Sequence, residues 1–367
     1  MIVKEGKAEI RVDEGVFYNP EMEFCRDFSS LALGAVCQKG LVVLDGMCAS
    51  GIRGVRYALE NEKIGEVTFV DLDSKACKNA SYNAKKNNLG SYKVENTEIT
   101  RFLWENPFDF LEIDPFGTPV PYLVPAIRSA AMQGGGILSA TATDVAVLCG
   151  AHYKACLKNY QSRPVDNECC HENGTRILIG KVARTASEYN LGVHPIASLS
   201  RQHFIKTFIK FERGAEKAVS SIKKLGFISY CPKCLWRGTS SLVVKEKCEC
   251  GGQLQHAGPL WLGELHEKKE LESMKKENEK REYASMAAMH SLLEKMSGEI
   301  GMPAGYFDLH KVSEVLKVSA EKVDCVLESL SKKGFAAIRT HFRENSIKTN
   351  AGITEVKEAF LNSSRKR

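Results

Sequence analysis

Between Leu41 and Thr141, short apolar runs alternate with helix-forming stretches, and this alternation restricts the fold more than any other feature of the chain. Leu41–Leu44, Val67–Val70, Tyr92–Val94, Phe108–Ile113 and Gly136–Thr141 read as strands. Ile52–Leu59, Ser74–Lys86 and Val120–Ala131 read as helices, the second with Ser74 as its N-cap. Strand–helix–strand units close with a right-handed crossover, so the expectation is an α/β fold with a largely parallel sheet covered on both faces. Ligands of such sheets bind at the carboxyl ends of the strands. Ile177–Phe211 reads as one more helix and a closing β-hairpin.

With 367 residues, two or three domains are expected. No apolar run approaches the roughly 20 residues that cross a bilayer, and the start, MIVKEGKAEI, lacks the apolar core of a secretion signal. The expected location is the cytoplasm. The turn-rich seam Gly258–Gly263 divides the chain into 1–263 and 264–367. Beyond it, Glu264–Glu282 is charged and helical with no evident core of its own. Short helices then gather around Leu309, Val312, Val323, Val326 and Leu330, and a Gly334-Phe335 turn leads into a strand, the layout of a winged helix. The net charge of +6 is uneven: residues 174–224 carry ten basic side chains against three acidic, and residues 331–367 nine against three. Such clusters fit either a phosphate-binding footprint or a solvated basic face.

Three segments at strand ends carry chemistry. After the first strand, Asp45 to Gly51 forms a glycine-rich turn with glycines at 46, 51 and 54, which is not the G-x-G-x-x-G of a dinucleotide site. It suits an S-adenosylmethionine pocket or a plain structural turn. Asp71 ends the second strand, where a carboxylate can accept both ribose hydroxyls of an adenosine, with Asp73 as the alternative. Asp114-Pro115-Phe116-Gly117 follows the apolar strand Phe108–Ile113. A carboxylate fixed there can orient the exocyclic amine of a planar base while the aromatic ring stacks on its face. Such an amine is a poor nucleophile, so positioning and electrostatics must carry the rate.

The thirteen cysteines are odd in number and do not form a disulfide framework. Cys231, Cys234, Cys248 and Cys250 make two close pairs in glycine-containing turns, the spacing of a four-thiolate structural zinc site within residues 227–256. Cys169-Cys170-His171 lacks a partner pair nearby and reads as buried structure or substrate-pocket wall, with a Cys-His nucleophile as the lesser alternative.

Taken together, these residues resemble the tRNA (guanine-26, N2) dimethyltransferase family. Val16-Phe17-Tyr18-Asn19-Pro20 with Arg26-Asp27 is similar to its amino-terminal signature, Leu44–Arg56 to its cofactor loop and Asp114–Gly117 to its catalytic motif. Thr141–Asp144, Leu148–His152, Cys170–Glu172, Arg176–Leu178, Gly258–Gly263, Arg339–Phe342 and Ile347–Thr349 extend the likeness over nearly the whole chain. The resemblance implies a class I, Rossmann-like S-adenosylmethionine-dependent domain with a small zinc-ribbon-like insertion and an α+β, winged-helix-like tRNA-binding domain. It implies that Arg26, Arg53 and Asp71 bind the cofactor, that Asp114 orients the guanine amine and that Phe17 and Phe116 sandwich the base. The family usually shows Asp-Ala-Asn where this chain has Glu98-Ile99-Thr100, which makes Glu98 and Ile99 the expected adenine contacts. Two further readings stay open: an amino-methyltransferase on another amine, for which Pro-Tyr rather than Phe116-Gly117 is expected, and a catalytically silent zinc-bearing RNA-binding protein.

Overall fold

A computed structural model describes residues 1–243 and 245–364. An antiparallel hairpin, β1 (Ile2–Glu5) and β2 (Ala8–Arg11), precedes helix α1 (Glu23–Val36). The central sheet comprises β3 (Leu41–Gly46), β4 (Ile64–Asp71), β5 (Tyr92–Asn96), β6 (Phe110–Ile113), β7 (Gly135–Ala142), β8 (Leu191–Arg201) and β9 (Phe204–Arg213). Its strand order is β5-β4-β3-β6-β7-β9-β8. The first five are parallel, and β9 inserts antiparallel between β7 and β8. The order reverses between β3 and β6, which opens a crevice at their carboxyl ends.

Helices α2 (Ile52–Glu60), α3 (Ser74–Lys86), α4 (Ile99–Glu105) and α5 (Val120–Met132) provide the crossovers. The limits of α3 agree with the sequence, but its cap is Asp73, which accepts the Lys75 N–H, and not Ser74. A carboxylate there also favours the positive end of the helix dipole. Phe28, Tyr57, Phe69, Phe110 and Phe208 fill the core on one face of the sheet, and Leu44, Leu111, Leu123 and Leu138 fill the other. After β7 come α6 (Val145–Leu148), α7 (Tyr153–Tyr160) and the long, buried α8 (Cys170–Ser187). The expected helix and hairpin are therefore α8, β8 and β9.

Beyond α9 (Ala215–Ile222), β10 (Leu225–Tyr230), β11 (Arg237–Ser240) and β12 (Gln255–Trp261) form a small antiparallel sheet. The charged segment after Gly263 has no separate core; it packs on the central sheet. In α10 (Lys268–Asn278) and α11 (Met286–Gly298), Leu271, Met274, Met289, Leu293 and Met296 join the core on the α1 side of the sheet. Packing that excludes the sheet begins near Phe307. There β13 (Phe307–Asp308), α12 (Leu309–Leu316), α13 (Val323–Lys332), β14 (Ala337–Arg339), β15 (Ser346–Thr349) and α14 (Ile353–Ser364) enclose Leu309, Val312, Val323, Val326 and Leu330. Two helices, then a β14–β15 hairpin whose β15 also pairs with β13 ahead of the helices, give the expected winged-helix layout. Arg365, Lys366 and Arg367, counted in the basic carboxyl terminus, lie outside the described residues. No helix among the described residues is long and apolar enough to cross a membrane.

Candidate active site and zinc centre

The turn after β3 is held in an unusual backbone shape. Met47 and Ala49 have φ of 58° and 47°, a left-handed conformation that costs non-glycine residues about 1 kcal/mol or more, and Gly51 follows at 73°. Two carboxylates retain it. Asp71 accepts the Ala49 N–H through Oδ2 and the Asp73 N–H through Oδ1, both at 2.9 Å. Asp45 lies beneath the turn and accepts the Gly54 N–H at 2.8 Å. Burial pushes the Asp45 carboxyl up to about 7, against the pull of Arg53 and the Gly54 N–H. Gly54 allows this approach, since a Cβ there would lie 2.4 Å from the Phe69 ring.

Asp71 thus holds the loop through Oδ2 and the turn after its own strand through Oδ1, and retains lone pairs for hydroxyl donors. Asp73 is spent on its helix cap. Glu98 caps α4, accepting the Thr100 and Arg101 N–H groups at 3.0 and 2.9 Å, while Ile99 is buried against Gly46. Arg26 pairs in bidentate fashion with Glu5, both contacts 2.7 Å, and donates to the Asn19 carbonyl. Nε and Nη2 carry these bonds, which aim Arg26 at the hairpin.

Asp114, just past the end of β6, is the centre of the densest polar array. Its carboxylate pairs with Arg53 Nη2. Arg53 also donates to Ser29 Oγ at 3.0 Å and stands 3.7 Å from Glu112. Glu112 is completely buried; it pairs with Lys206 and accepts the Tyr57 hydroxyl at 2.6 Å. Lys206, equally buried, donates to Thr141 Oγ1 at 2.8 Å, and the Thr141 hydroxyl helps to lower the Asp114 carboxyl. Burial alone would raise the Asp114 carboxyl. The Arg53 and Lys206 charges, with the Thr141 and Arg53 hydrogen bonds, instead hold it below the ordinary aspartate value. It remains an acceptor, with 20% of its side chain open to solvent.

Phe116, two residues beyond Asp114, and Phe17 are 81% and 52% exposed, their rings edge to face at 4.8 Å. Admitting a planar base between them requires the rings to part to about 7 Å and turn parallel. The backbone beneath Phe116 is fixed by reciprocal Gly117–Thr143 bonds, 2.6 Å to the Thr143 hydroxyl and 2.8 Å to the Gly117 carbonyl. Behind it, the Tyr160 hydroxyl bonds both Asp144 and Thr118 at 2.8 Å. The structure therefore gathers Phe17, Arg53, Asp71, Ile99, Asp114 and Phe116 at the carboxyl end of the sheet, and leaves Arg26 on Glu5 and Glu98 on its cap.

Sequence reading missed Glu112, Thr141 as a partner of Asp114, and Lys206. One signal was available: Glu112 lies on the strand two residues before Asp114, the spacing that puts extended residues on one face. Lys206 sits directly opposite Thr141 across the β7–β9 pair, a relation visible only once those strands are paired.

The four cysteines of the small sheet converge. Cys231 and Cys250 Sγ are 3.5 Å apart and Cys234 and Cys248 Sγ 3.6 Å, with all four within 4.8 Å of one another. A tetrahedral ion with zinc–sulfur bonds of about 2.3 Å spaces its sulfurs at about 3.8 Å, so the donor set fits zinc. A Cβ on Gly252 would lie 2.8 Å from Cys231 Sγ, so that glycine is required. Cys170 and His171 do find a third group: Cys149 Sγ lies 3.7 Å from His171 Nδ1, which also meets Ser200 Oγ at 3.3 Å. A cavity of about 390 Å³ lies elsewhere, at the seam between Trp261, His266, Glu299 and Lys348. There Ser198 N–H donates to His266 Nδ1 at 3.3 Å, so neutral His266 keeps its proton on Nε2, facing Glu299.

The strand order with its inserted antiparallel strand, the loop after β3 and the acidic end of β4 define a class I S-adenosylmethionine-dependent methyltransferase. Residues 1–361 match the family described as N2,N2-dimethylguanosine tRNA methyltransferase, and the chain belongs to that family. A tRNA (guanine(26)-N(2))-dimethyltransferase of Methanothermobacter thermautotrophicus is 38% identical, covering 98% of each chain. A tRNA (guanine(26)-N(2)/guanine(27)-N(2))-dimethyltransferase of Aquifex aeolicus is 37% identical, covering 97% of this chain and 94% of its own. A Trm1 from Pyrococcus horikoshii, solved with S-adenosyl-L-methionine, superposes with a TM-score of 0.90 at 34% identity, covering 98% of this chain and 99% of its own.

Proposed function

We propose that Asp114 is the group that orients and deprotonates the guanine amine, with Phe17 and Phe116 as the base clamp. The chain is an S-adenosylmethionine-dependent tRNA methyltransferase that dimethylates N2 of a guanosine, by family and by full-length relatives named for guanosine 26. The observation that carries the residue assignment is an ionised, partly open carboxylate two residues before the exposed Phe116 ring, which pairs with the exposed Phe17 ring.

Bound S-adenosylmethionine supplies an electrophilic methyl group on a sulfonium. Asp71 offers lone pairs to its ribose hydroxyls, Ile99 an apolar surface to the adenine, and the 46–51 loop its backbone to the methionine portion. Glu98 is available to the adenine amine from its cap, and Arg26 through Nη1. Phe17 and Phe116 accept the flipped base, offsetting an unstacking cost of a few kcal/mol. Asp114 accepts a hydrogen bond from N2–H, which aims the nitrogen lone pair at the methyl carbon. As the N–C bond forms, the methyl carbon's bond to sulfur breaks and its electron pair stays on the departing neutral thioether, while the N–H proton passes to Asp114 and from there to water. The monomethylated amine still has one N–H, and once a second S-adenosylmethionine has replaced the spent thioether, Asp114 holds that N–H in the same way for the second transfer. Zinc on Cys231, Cys234, Cys248 and Cys250 is structural and takes no part. The winged unit within 264–367 grips tRNA, and the enzyme works in the cytoplasm without an obligate protein partner.

The test is transfer from labelled S-adenosylmethionine to an unmodified tRNA transcript, with nucleoside analysis. The expected product is N2,N2-dimethylguanosine at position 26, lost when that guanosine becomes adenosine. Label persisting at position 27 after that change would extend the target to two nucleotides, and no label in any tRNA would overturn the reading.

A further inference from the structure

Asp114, Arg53, Glu112, Lys206 and Thr141 close into a ring. Arg53 reaches Asp114 and lies near Glu112, Glu112 pairs with Lys206, and Lys206 donates to Thr141, whose hydroxyl acts on the Asp114 carboxyl from the other side of the set. The members come from α2, β6, β7 and β9. Two carboxylates and two cations make the buried set neutral overall. From this closure we infer that Lys206 and Glu112 are positioning residues of the methyl transfer, which keep Asp114 ionised at the start of each of the two transfers. The inference rests on the assignment of Asp114 to the guanine amine.

A buried lysine is costly unless its charge is matched, and Lys206 touches no part of the open cleft, so its burial needs another reason. Its Nζ has two partners on the side of Asp114, Glu112 and Thr141. Remove its charge, and Glu112 and Asp114 are left to share Arg53. Two close carboxylates with one cation take up a proton between them. Asp114 is the member open to solvent and the one that must be anionic, since a protonated carboxyl cannot receive the amine proton. Two successive transfers release two protons, so the carboxylate must shed the first before it can serve again. A carboxyl held well below neutrality does so unaided, through its exposed edge.

The experiment is the pH dependence of single-turnover transfer to tRNA, with S-adenosylmethionine bound to saturation, for the wild type, Lys206→Met, Glu112→Gln and Asp114→Asn. Lys206→Met should move the acid limb upward by about one pH unit or more, each unit being a tenfold loss below the limb that alkali restores. Glu112→Gln, which leaves a surplus cation, should not move it upward. An equal loss in both variants, with the limb unmoved, would make the ring mere packing and overturn the inference. If Lys206→Met does not fold, carbon-13 titration of the aspartate carboxyls in the wild type decides. Asp114 should ionise below the ordinary aspartate range, and ionisation within or above it overturns the inference. Asp114→Asn separates the two failures: an active variant overturns the assignment of Asp114 itself, whereas an inactive one beside an unmoved Lys206→Met limb overturns the ring alone.

Discussion

Arg53 and Arg56 lie one turn apart on α2, and each is the hub of a buried ion network with a different fate. Arg56 binds Glu5, Asp27 and Glu60 at 2.6 to 2.8 Å, and all four side chains are at most 2% exposed. Through Tyr283 and Ser285, which bond Glu60 and Asp27, that network ties the amino-terminal hairpin, α1 and α2 to the segment between α10 and α11. The Arg53 network uses the same chemistry, carboxylates and cations with a tyrosine hydroxyl, but Asp114 keeps one side open. A closed network fixes elements, since removing one partner strands the others without water. An opened one presents a charge whose ionisation and direction the buried partners have already set.

Breaking the opened network at its exposed member should give the largest effect. Asp114→Asn should lower the rate of methyl transfer by about 10²- to 10⁴-fold. Binding of S-adenosylmethionine and tRNA should persist, and urea unfolding should shift little. A comparable loss of stability would mean that the two networks do not differ in kind. The reverse pattern belongs to Arg56. Arg56→Met leaves Glu5, Asp27 and Glu60 short of a cation and should cost about 3–5 kcal/mol in urea unfolding. The fraction that remains folded should transfer methyl groups at the wild-type rate. Phe116→Ala should act more weakly, through about 1–3 kcal/mol of lost base stacking. It should lower kcat/KM for tRNA, leaving the dissociation constant for S-adenosylmethionine unchanged in a binding titration.

What the sequence disclosed follows the range of the interactions involved. Asp71, Asp114, the 46–51 loop and the four cysteines sit in short contiguous patterns at strand ends or turns, so local reading found them. Glu112 and Lys206 meet across 94 positions of chain, and only the strand pairing brings them together. Helix α1 escaped notice because its buried face includes Arg26, Asp27, Ser29 and Ser30, which hide the apolar stripe. The basic clusters misled for a related reason. Lys206, Arg176 and Lys348 count toward them, yet each is at most 3% exposed. Lys206 neutralises Glu112, and the other two neutralise Glu172 at 2.8 Å. In residues 174–224, Arg201, Lys210, Arg213, Lys223 and Lys224 remain exposed, as does Lys217, which pairs with Glu212 at 2.7 Å.

Asp45 sharpens the comparison from the side of stability, with the smallest effect. It lies beneath the cofactor loop, and burial lifts its carboxyl to about 7, whereas the depressed Glu5, Glu60 and Asp114 are anionic in the folded chain. The two kinds of group impose opposite slopes. A depressed carboxyl adds stability above its unfolded pKa of about 4, which is lost as the pH falls through its folded value. Asp45 is protonated when folded and ionised when unfolded between about pH 4 and 7, so the folded state binds the extra proton and stability falls as the pH rises through that window. Asp45→Asn mimics the protonated form and retains an oxygen to accept the Gly54 N–H. Urea midpoints at pH 5 and pH 7.5 should therefore draw closer together in Asp45→Asn than in the wild type, by a stabilisation that is larger at the higher pH. An unchanged difference between the two pH values would mean that the carboxylate beneath the loop is already ionised by Arg53, which would place Asp45 inside the Arg53 network.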